Sequence, residues 1–352
     1  MPVSKGVSRR RRLARLVATG SPHVVARAAR RALVSRRHEA SIARAAREGR
    51  HLLVGPFLGE VGFELLYWIP VVRRLLDEHQ VGRDRVTVLA RGGAGSWYGD
   101  LAERSVEILD LLPPDRYVEE LVERRRRSGD AKQFFPDLLD SRLAELAIEQ
   151  SGDAAVVHPL LMFSRMRLIL EGLQPAEQAP LLADYQRLAW DDRSLPPDCP
   201  SDYVAVKLYF SDAFPDDGRT RTLAARVLEM LADETEVVVL TSGLQLDEHR
   251  EWVPVGRRIH DSSAWVTPQN NLTVQTTLVA RARAVVCTYG GFSYLGAMLG
   301  IPTLALQTQE PFSSVHLAVL RAAYPEADYT LVDPDGIVGA ARFASRVAGS
   351  FR

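Results

Sequence analysis

Short apolar runs alternate along the chain with longer segments in which apolar residues recur at helical spacing. Runs typical of buried strands occupy residues 51–57, 85–90, 154–159, 203–208 and 236–243, and a further pair brackets residues 285–306. Helical spacing occupies residues 58–76, 219–231, 270–282, 315–324 and 336–349. This alternation is typical of α/β proteins, so we expect Rossmann-like units with parallel sheets.

The clearest break in the alternation is the segment Pro196-Pro197-Asp198-Cys199-Pro200, which has the composition of a linker. A chain of 352 residues, 46% of them apolar, can form two domains of roughly 130 to 170 residues each. We therefore predict one Rossmann-like domain over residues 51–190 and a second over residues 191–352. A basic helical extension over residues 1–50 precedes them.

Residues 1–50 carry most of the charge asymmetry. They hold 14 Lys and Arg against two acids, whereas the remainder holds 30 against 42, so the two parts carry +12 and −12. Such a helix can lie on an anionic membrane surface, dock on an acidic partner or remain a solvated tail. Nucleic acid is not expected, because no aromatic residue interleaves the arginines. We expect this segment to be dispensable for folding but needed for membrane association.

The remaining composition bounds the compartment. No apolar run reaches the length of a membrane span, and the basic start lacks the apolar stretch of a signal peptide. Two cysteines are too few for a disulfide framework or a cysteine-based zinc site. We expect a cytoplasmic protein, peripheral at the inner membrane face where the basic segment binds lipid.

The segment 285–306 predicts a strand, a glycine turn, a helix and a second strand. Gly290-Gly291 forms the turn, and Gly300-Ile301-Pro302 ends the helix. In a parallel sheet such a turn lies at the carboxyl ends of the strands, where free N–H groups and the helix dipole favour a phosphate. We expect Gly291 to combine close backbone approach with a positive φ. The alternative is a glycine pair that only makes a tight turn.

A second turn of this kind follows the first strand and carries two acids. Glu60 lies at the turn itself, and Glu64 lies one helical turn later on the same side. Pro70 should kink the helix that follows. Both acids are candidates for a catalytic group. The alternative for Glu60 is an acid that only stabilises the helix N-terminus.

The segment 285–306 resembles the donor-binding loop of GT-B glycosyltransferases, and the resemblance covers roughly residues 50–350. It implies that residues 51–190 form the acceptor-side domain and residues 191–352 the nucleotide-sugar-binding domain. Heptosyltransferase-like enzymes carry an Asp two residues before the glycine and a His three residues after it, where this chain has Tyr289 and Tyr294. The run from Gly291 to Tyr294 is also similar to the Phe-Ser-aromatic turn of some bacterial fucosyltransferases. Gly59-Glu60 is similar to the Gly-Asp pair of the heptosyltransferase-like enzymes, which implies that Glu60 is the general base.

The resemblance implies a glycosyltransferase that moves a sugar from a nucleotide-diphosphate donor to a carbohydrate or lipid-linked acceptor, in cell-surface polysaccharide or glycolipid synthesis. No Asp-x-Asp motif occurs at an expected loop, so neither a metal nor another cofactor should be obligatory, and the nucleotide-sugar is a co-substrate. A non-catalytic GT-B-like scaffold, a polysaccharide pyruvyltransferase and a sugar-nucleotide epimerase-like enzyme are the alternatives.

The candidate residues lie at the ends of predicted strands, where loops carry function. For catalysis they are Glu60, Glu64 and His158; for acceptor binding, Arg91, Trp97 and Tyr98; for donor binding, Lys207, Thr241, Ser242, Tyr289, Gly290, Gly291, Phe292, Ser293, Gln307 and Glu310. Instead of a catalytic role, His158 can have a structural one in which its ring nitrogens are hydrogen-bonded. Instead of binding the donor, Lys207 can be a half-exposed lysine at the sheet edge. The run Arg124–Arg127 is interpreted as a solvated helix face.

Overall fold

The structure is a computed structural model. It describes residues 22–128, 132–190, 194–210, 214–242, 250–252, 256–307 and 314–332, with the side chains of the first helix described from residue 29 onward. Glu310 and the predicted helix at 336–349 lie outside these residues.

The first sheet has four parallel strands in the order β3-β2-β1-β4. Its strands are β1 (Leu52–Val54), β2 (Val86–Ala90), β3 (Arg104–Glu107) and β4 (Ala155–Val157). The central strand β1 places Leu53 between Thr87 and Val156. Every residue of β1 and β2 is buried, which explains their nearly continuous apolar sequence.

Seven helical elements accompany this sheet among the described residues. They are α1 (Pro22–Arg47), α2 (the consecutive pieces Val61–Phe63, Glu64–Trp68 and Ile69–Glu78), α3 (Ile108–Leu111), α4 (Pro114–Ser128), α5 (Leu138–Ser151), α6 (Leu160–Arg165) and α7 (Arg167–Leu170). Short 3₁₀ turns cover Arg83–Arg85 and Ala94–Tyr98.

Helix α2 contains a π-helical turn over Glu64–Trp68, where a kink at Pro70 was expected. The amide of Ile69 donates to the carbonyl of Glu64, five residues earlier. Pro70 has no amide hydrogen to continue the α-helical ladder, so the wider turn just before it accommodates the missing bond. The carbonyl of Pro70 accepts from the amide of Asp184 instead.

The second half of α1 belongs to the folded core, which corrects the expectation that residues 1–50 are dispensable for folding. Ile42 and Ala45 are 1% and 2% exposed, and α1 packs against α6 and β4. At the helix end, Arg85 Nη2 donates to the carbonyls of Ala46 and Arg50. Residues 1–21 lie outside the described part of the chain.

The second sheet has six parallel strands in the order β12-β11-β10-β5-β7-β9, with an antiparallel pair β6-β8 beside it. The strands are β5 (Tyr203–Lys207), β6 (Tyr209–Phe210), β7 (Glu236–Val239), β8 (Arg250–Glu251), β9 (Ile259–Asp261), β10 (Ala284–Thr288), β11 (Thr303–Leu306) and β12 (Tyr329–Val332). Cys287 of β10 lies between Lys207 and Ala305. The predicted α/β class with two parallel sheets is confirmed.

The helices of this half are α8 (Ala179–Leu182) in the connecting segment, then α9 (Gly218–Glu234), α10 (Asn271–Ala280), α11 (Gly291–Leu299) and α12 (Ser314–Ala323), with 3₁₀ turns at Ala176–Gln178 and Ser262–Trp265. Helix α11 ends at Gly300, whose φ of +74° is the left-handed conformation that glycine adopts without strain.

The two halves share one apolar core. A single cluster of buried side chains contains Leu65 and Trp68 from the first half and Phe292 and Leu295 from the second. The segment between the halves also crosses this interface, because the amide of Leu188 donates to the carbonyl of Met298. Within the described ranges, no helix has both the length and the apolarity needed to cross a bilayer.

Candidate functional site

Two strand-to-helix turns, one from each sheet, are in direct contact. The turn after β1 leads into α2 at Val61, and the turn after β10 leads into α11 at Gly291. A Cβ atom added to Gly291 would lie 2.8 Å from the amide nitrogen of Gly62 and 3.0 Å from Val61 Cγ1, and a Cβ on Gly62 would lie 3.2 Å from Gly291 Cα. A side chain at Gly291 would therefore push the two turns apart, and one at Gly62 would need its neighbours to shift by a few tenths of an ångström.

The positive φ of the glycine pair is at Gly290, not at Gly291 as expected. Gly290 has a φ of +152°, and a Cβ there would collide with the hydroxyl of Tyr209. Ser293 closes the turn, because its hydroxyl donates to the carbonyl of Gly290 over 2.7 Å and accepts from the hydroxyl of Tyr329 over 3.0 Å. Ser293 thus fixes the shape of the turn from within.

The two tyrosines that replace the acid and the histidine of the resembled family pack against each other. The rings of Tyr289 and Tyr294 are 5.8 Å apart in a T-shaped arrangement, and both side chains are buried. Burial raises the pKa of Tyr289 to about 12. Neither position therefore offers a group that changes charge near neutral pH.

Lys207 lies beside the start of α11 and is paired with an acid that sequence reasoning missed. Its ammonium is 2.6 Å from Glu251 Oε1, 3.1 Å from Gln275 Oε1 and 5.0 Å from the ring centre of Phe292. Ser242 also donates to Glu251, from its amide over 2.8 Å and from its hydroxyl over 3.0 Å. The structure thus brings Lys207 and Ser242 together at Glu251, with Phe292 beside the ammonium group.

Two further candidates lie at the carboxyl edge of this sheet. The hydroxyl of Thr241 donates to Asp261, and its amide donates to Ser262 Oγ over 2.9 Å. Gln307 follows β11, and within the described residues its Oε1 is buried without a hydrogen-bond partner. The hydroxyl of Thr288, at the end of β10, is also buried without a hydrogen-bond partner among the described residues. Thr288 was not among the expected site residues.

On the opposite turn, Glu60 is exposed and occupies the N-cap position of α2. Its backbone carbonyl accepts from the amides of Phe63 and Glu64, but its side chain makes no capping hydrogen bond. Glu60 is one of the residues that line a pocket of about 60 Å³. The alternative interpretation of Glu60, an acid that stabilises the helix N-terminus, therefore rests on the helix dipole and not on a capping hydrogen bond.

The pocket beside Glu60 is mostly cationic and aromatic. Its other lining residues are Phe57, Leu58, Gly59, Phe63, Arg91, Leu121, Arg124, Arg125, Lys132, Gln133 and Phe163. Arg124 is 3% exposed and forms an ion pair with Asp137, which corrects its interpretation as part of a solvated face.

Glu64 lies in the interior, one turn behind Glu60. It is 1% exposed, its Oε1 accepts from the hydroxyl of Tyr98 over 2.8 Å, and its Oε2 has no partner among the described residues. Burial raises the pKa of Glu64 to about 7, while Arg91 and the Tyr98 hydrogen bond oppose the shift and Glu107 adds to it. Glu64 is thus a proton-holding group without access to solvent.

The loop predicted to contact the acceptor packs between the two halves instead. Trp97 and Tyr98 are 0% and 1% exposed, and Trp97 Nε1 donates to Thr276 Oγ1 of α10 over 2.9 Å. Neither ring is therefore accessible to an acceptor. Arg91 keeps a position on the pocket wall, where its Nη2 donates to the carbonyl of Gly59 over 2.5 Å.

His158 joins three helices and has both ring nitrogens in use. Its Nε2 lies 3.1 Å from Asp140 Oδ2 of α5, its Nδ1 accepts from the amide of Leu160, and its own amide contacts His38 Nε2 of α1 over 3.0 Å. It is 2% exposed, so the structural alternative for this histidine describes it better than catalysis.

A histidine of the second half reaches α2 and was not anticipated. His316 Nδ1 lies 2.5 Å from the hydroxyl of Tyr67, and its ring packs edge-on against Phe63, which carries Lys132 on its face at 4.9 Å. Burial and then Lys132 lower the pKa of His316 to about 4. Its partners are more than 180 residues away in sequence, so no local pattern could have identified this contact.

Comparisons with known proteins find similarity in fold but none in sequence. No protein family and no curated protein matches the sequence. Among solved structures, the chain is similar to Escherichia coli ADP-heptose lipopolysaccharide heptosyltransferase II, with 11% identity, a TM-score of 0.42 and coverage of 86% of this chain and 99% of that one. It is also similar to the dodecameric glycosyltransferase TibC of enterotoxigenic Escherichia coli, with 11% identity, a TM-score of 0.44 and coverage of 84% and 76%.

A third similar structure is the glycosyltransferase family 9 protein of Veillonella parvula, with 12% identity, a TM-score of 0.42 and coverage of 83% of this chain and 89% of that one. These neighbours are of the kind that the sequence resemblance names. At such identities and TM-scores they assign no role to any residue, and the chemistry of the site follows from its own geometry.

Proposed function

We propose that this protein is a glycosyltransferase that moves a sugar from a nucleotide-diphosphate donor to a carbohydrate or lipid-linked acceptor. The observation that carries the proposal is the direct contact between the helix N-termini at Gly62 and Gly291, each at the carboxyl edge of a different parallel sheet. Ligands of open parallel sheets bind at this edge. Two such edges that face each other suit a reaction between two bound substrates.

The donor's diphosphate is assigned to the start of α11. A helix N-terminus favours an anion through its dipole and its unused amides, and α11 begins at the glycine turn. Lys207 lies beside the ring of Phe292 in the first turn of this helix. A phosphate bound there would share Lys207 with Glu251, so the pairing observed between them has to rearrange when the donor binds.

The acceptor is assigned to the pocket that Glu60 lines. As the acceptor oxygen bonds to the anomeric carbon, the bond from that carbon to the donor phosphate breaks, and Glu60 takes the hydroxyl proton. The departing diphosphate keeps the bonding electron pair, and its charge is stabilised by the amides of α11 and by Lys207. The proposed scheme uses no metal or other cofactor.

The setting proposed for this reaction is cell-surface polysaccharide or glycolipid synthesis at the inner membrane face. The support is the surplus of Lys and Arg in residues 1–50. In the described part of α1, Arg36 and Arg37 are exposed. Each arginine near an anionic leaflet contributes about 1 kcal/mol of binding.

Thermal stability in the presence of GDP, UDP or ADP tests the proposal. A donor nucleotide at about 100 times its Kd should stabilise the protein by about 2.7 kcal/mol. The matching nucleoside without phosphates is the control and should have little effect, since the diphosphate is the group that α11 recognises. If none of the three diphosphates raises the unfolding temperature, the transferase proposal fails and the non-catalytic scaffold becomes the better description.

A further inference from the structure

The carboxylate of Glu251 lies at the carboxyl edge of the second sheet. Lys207 ends β5 and Ser242 follows β7, and these two strands are neighbours in the sheet. Ligands of open parallel sheets bind outside the carboxyl ends of the strands. In this structure the polar groups that follow these two strands are already bonded to an acid of the chain itself.

The hydrogen bonds to Glu251 are of the kind that a phosphate group accepts. Its Oε1 accepts from the Lys207 ammonium over 2.6 Å and from the Ser242 hydroxyl over 3.0 Å, and its Oε2 accepts from the Ser242 amide over 2.8 Å. An ammonium group and a backbone amide form charge-assisted hydrogen bonds with phosphate oxygens as they do with a carboxylate. Glu251 therefore fills the place of a bound anion.

Glu251 is also the counter-ion of a buried cation. The Lys207 side chain is 8% exposed, and it further contacts the neutral groups of Gln275 and Phe292. A buried charge is costly unless it is paired and hydrogen-bonded, so the carboxylate stabilises the site while no ligand is bound. A bound diphosphate would supply the same negative charge.

The surroundings of Glu251 let its side chain move while its strand stays in place. Strand β8 pairs with β6 in a separate two-stranded sheet, and Trp252, which follows β8, packs against Phe210 with ring centres 6.4 Å apart. These contacts hold the backbone on either side of the acid. The Glu251 side chain itself is 23% exposed, so it can turn towards solvent by a rotamer change, which is common when ligands bind.

We propose that Glu251 is an internal competitor of the donor. Its carboxylate occupies the phosphate site at Lys207 and Ser242 in the free protein, and the donor's diphosphate displaces it. This inference rests on the proposed glycosyl transfer, because it concerns the regulation of the same donor site. A site that is open in about one molecule in ten binds its ligand about tenfold more weakly than a site that is always open.

Calorimetric binding of inorganic pyrophosphate, the diphosphate group alone, tests the inference. Glu251→Gln keeps the size of the side chain but removes its charge, so we expect binding about tenfold tighter than in the parent. Glu251→Asp keeps the charge but shortens the side chain by one methylene group. It should contact Lys207 and Ser242 less well and raise the affinity by a smaller factor. Damage to the site would lower the affinity, so a gain separates competition from a structural role.

Asp261→Asn is the matched control for the loss of one negative charge. Asp261 ends β9 at the same edge of the sheet, and its carboxylate accepts from the hydroxyls of Thr241 and Ser263. At about 0.15 M salt its pyrophosphate affinity should stay within about twofold of the parent's. The inference is overturned if Glu251→Gln binds pyrophosphate no more tightly than the parent, if Asp261→Asn gains as much affinity, or if none of the proteins binds pyrophosphate.

Nucleoside diphosphate binding measured on the same samples separates this inference from the proposed function. A nucleotide affinity that is equal in the parent and in Glu251→Gln leaves the transferase standing and removes the competition. A gain in pyrophosphate affinity in Glu251→Gln, without any nucleotide response, supports the competition by Glu251 and removes the transferase.

Discussion

Replacing Glu64 by Gln should change how the stability of the protein depends on pH. The pKa of Glu64 is raised from 4.5 to about 7 in the folded protein, first by burial. An acid with a raised pKa binds its proton more tightly in the folded state, so its contribution is fully present below pH 4.5 and is lost as pH rises to about 7. The loss in free energy of unfolding amounts to roughly 3 kcal/mol.

The amide group that replaces the carboxyl group in the Glu64→Gln variant does not ionise, so the variant should escape this loss. At a pH of about 4.5 the two proteins should have similar stability, because a protonated acid and an amide have the same shape and both can accept from Tyr98. Above a pH of about 8 the variant should be the more stable by roughly 3 kcal/mol. Urea unfolding across this pH range, followed by the fluorescence of the buried Trp68 and Trp97, measures the difference.

Glu60→Gln is the control for removing one negative charge from the same helix. Glu60 is exposed, so its variant shows how much of any difference follows from the lost charge alone. A stability difference between Glu64→Gln and the parent that stays constant from about pH 5 to about pH 8 would refute the assignment of Glu64 as a buried, proton-holding group.

Three further predictions concern the contact between the turns, the core and the basic segment. Gly291→Val should abolish nucleoside diphosphate binding in calorimetry and lower the free energy of unfolding by about 1–3 kcal/mol, because the valine side chain would displace Gly62. Unchanged nucleotide affinity in a folded variant would contradict this prediction. Ile42→Ala should lower the free energy of unfolding in urea by about 2–5 kcal/mol, whereas Leu33→Ala, at a 50% exposed position, should lower it by about 0.5 kcal/mol or less. Equal effects would contradict the assignment of α1 to the folded core. Removing residues 1–33, which hold nine of the 14 Lys and Arg of residues 1–50, should greatly weaken sedimentation with anionic vesicles at moderate salt. Equal sedimentation with and without them would exclude residues 1–33 as the membrane contact.

The sequence predicts the four inner strands of the second sheet because they are marked by local chemistry, but it misses the edge strands β9 and β12. Buried β-branched runs identify β5, β7 and β10, and Gly300 followed by Pro302 marks the end of α11. Strand β3 is missed because Arg104 and Ser105 are exposed at the edge of the first sheet and interrupt any apolar pattern.

The candidate site is predicted in part, since sequence reasoning finds turns but not their distant partners. The glycine turn at Gly290 and the acid Glu60 are both recognisable from local spacing. The glycine–serine loop that ends in Trp97 has the composition of a solvent-exposed loop, yet its indole bonds to Thr276, 179 residues away. Glu251 and His316 were missed for the same reason, because their partners come from other elements.

The rate of nucleoside diphosphate release from a nucleotide-sugar tests the central claim most directly. The nucleotide is the one that stabilises the protein, and parent, Glu60→Gln and Glu64→Gln are compared with an acceptor sugar present. We predict that Glu60→Gln lowers kcat by about 10² to 10⁴ while donor affinity stays unchanged, because the variant keeps the shape of the side chain and loses the base. A Glu60→Gln protein that turns over at the parent's rate would contradict the account and remove Glu60 as the base.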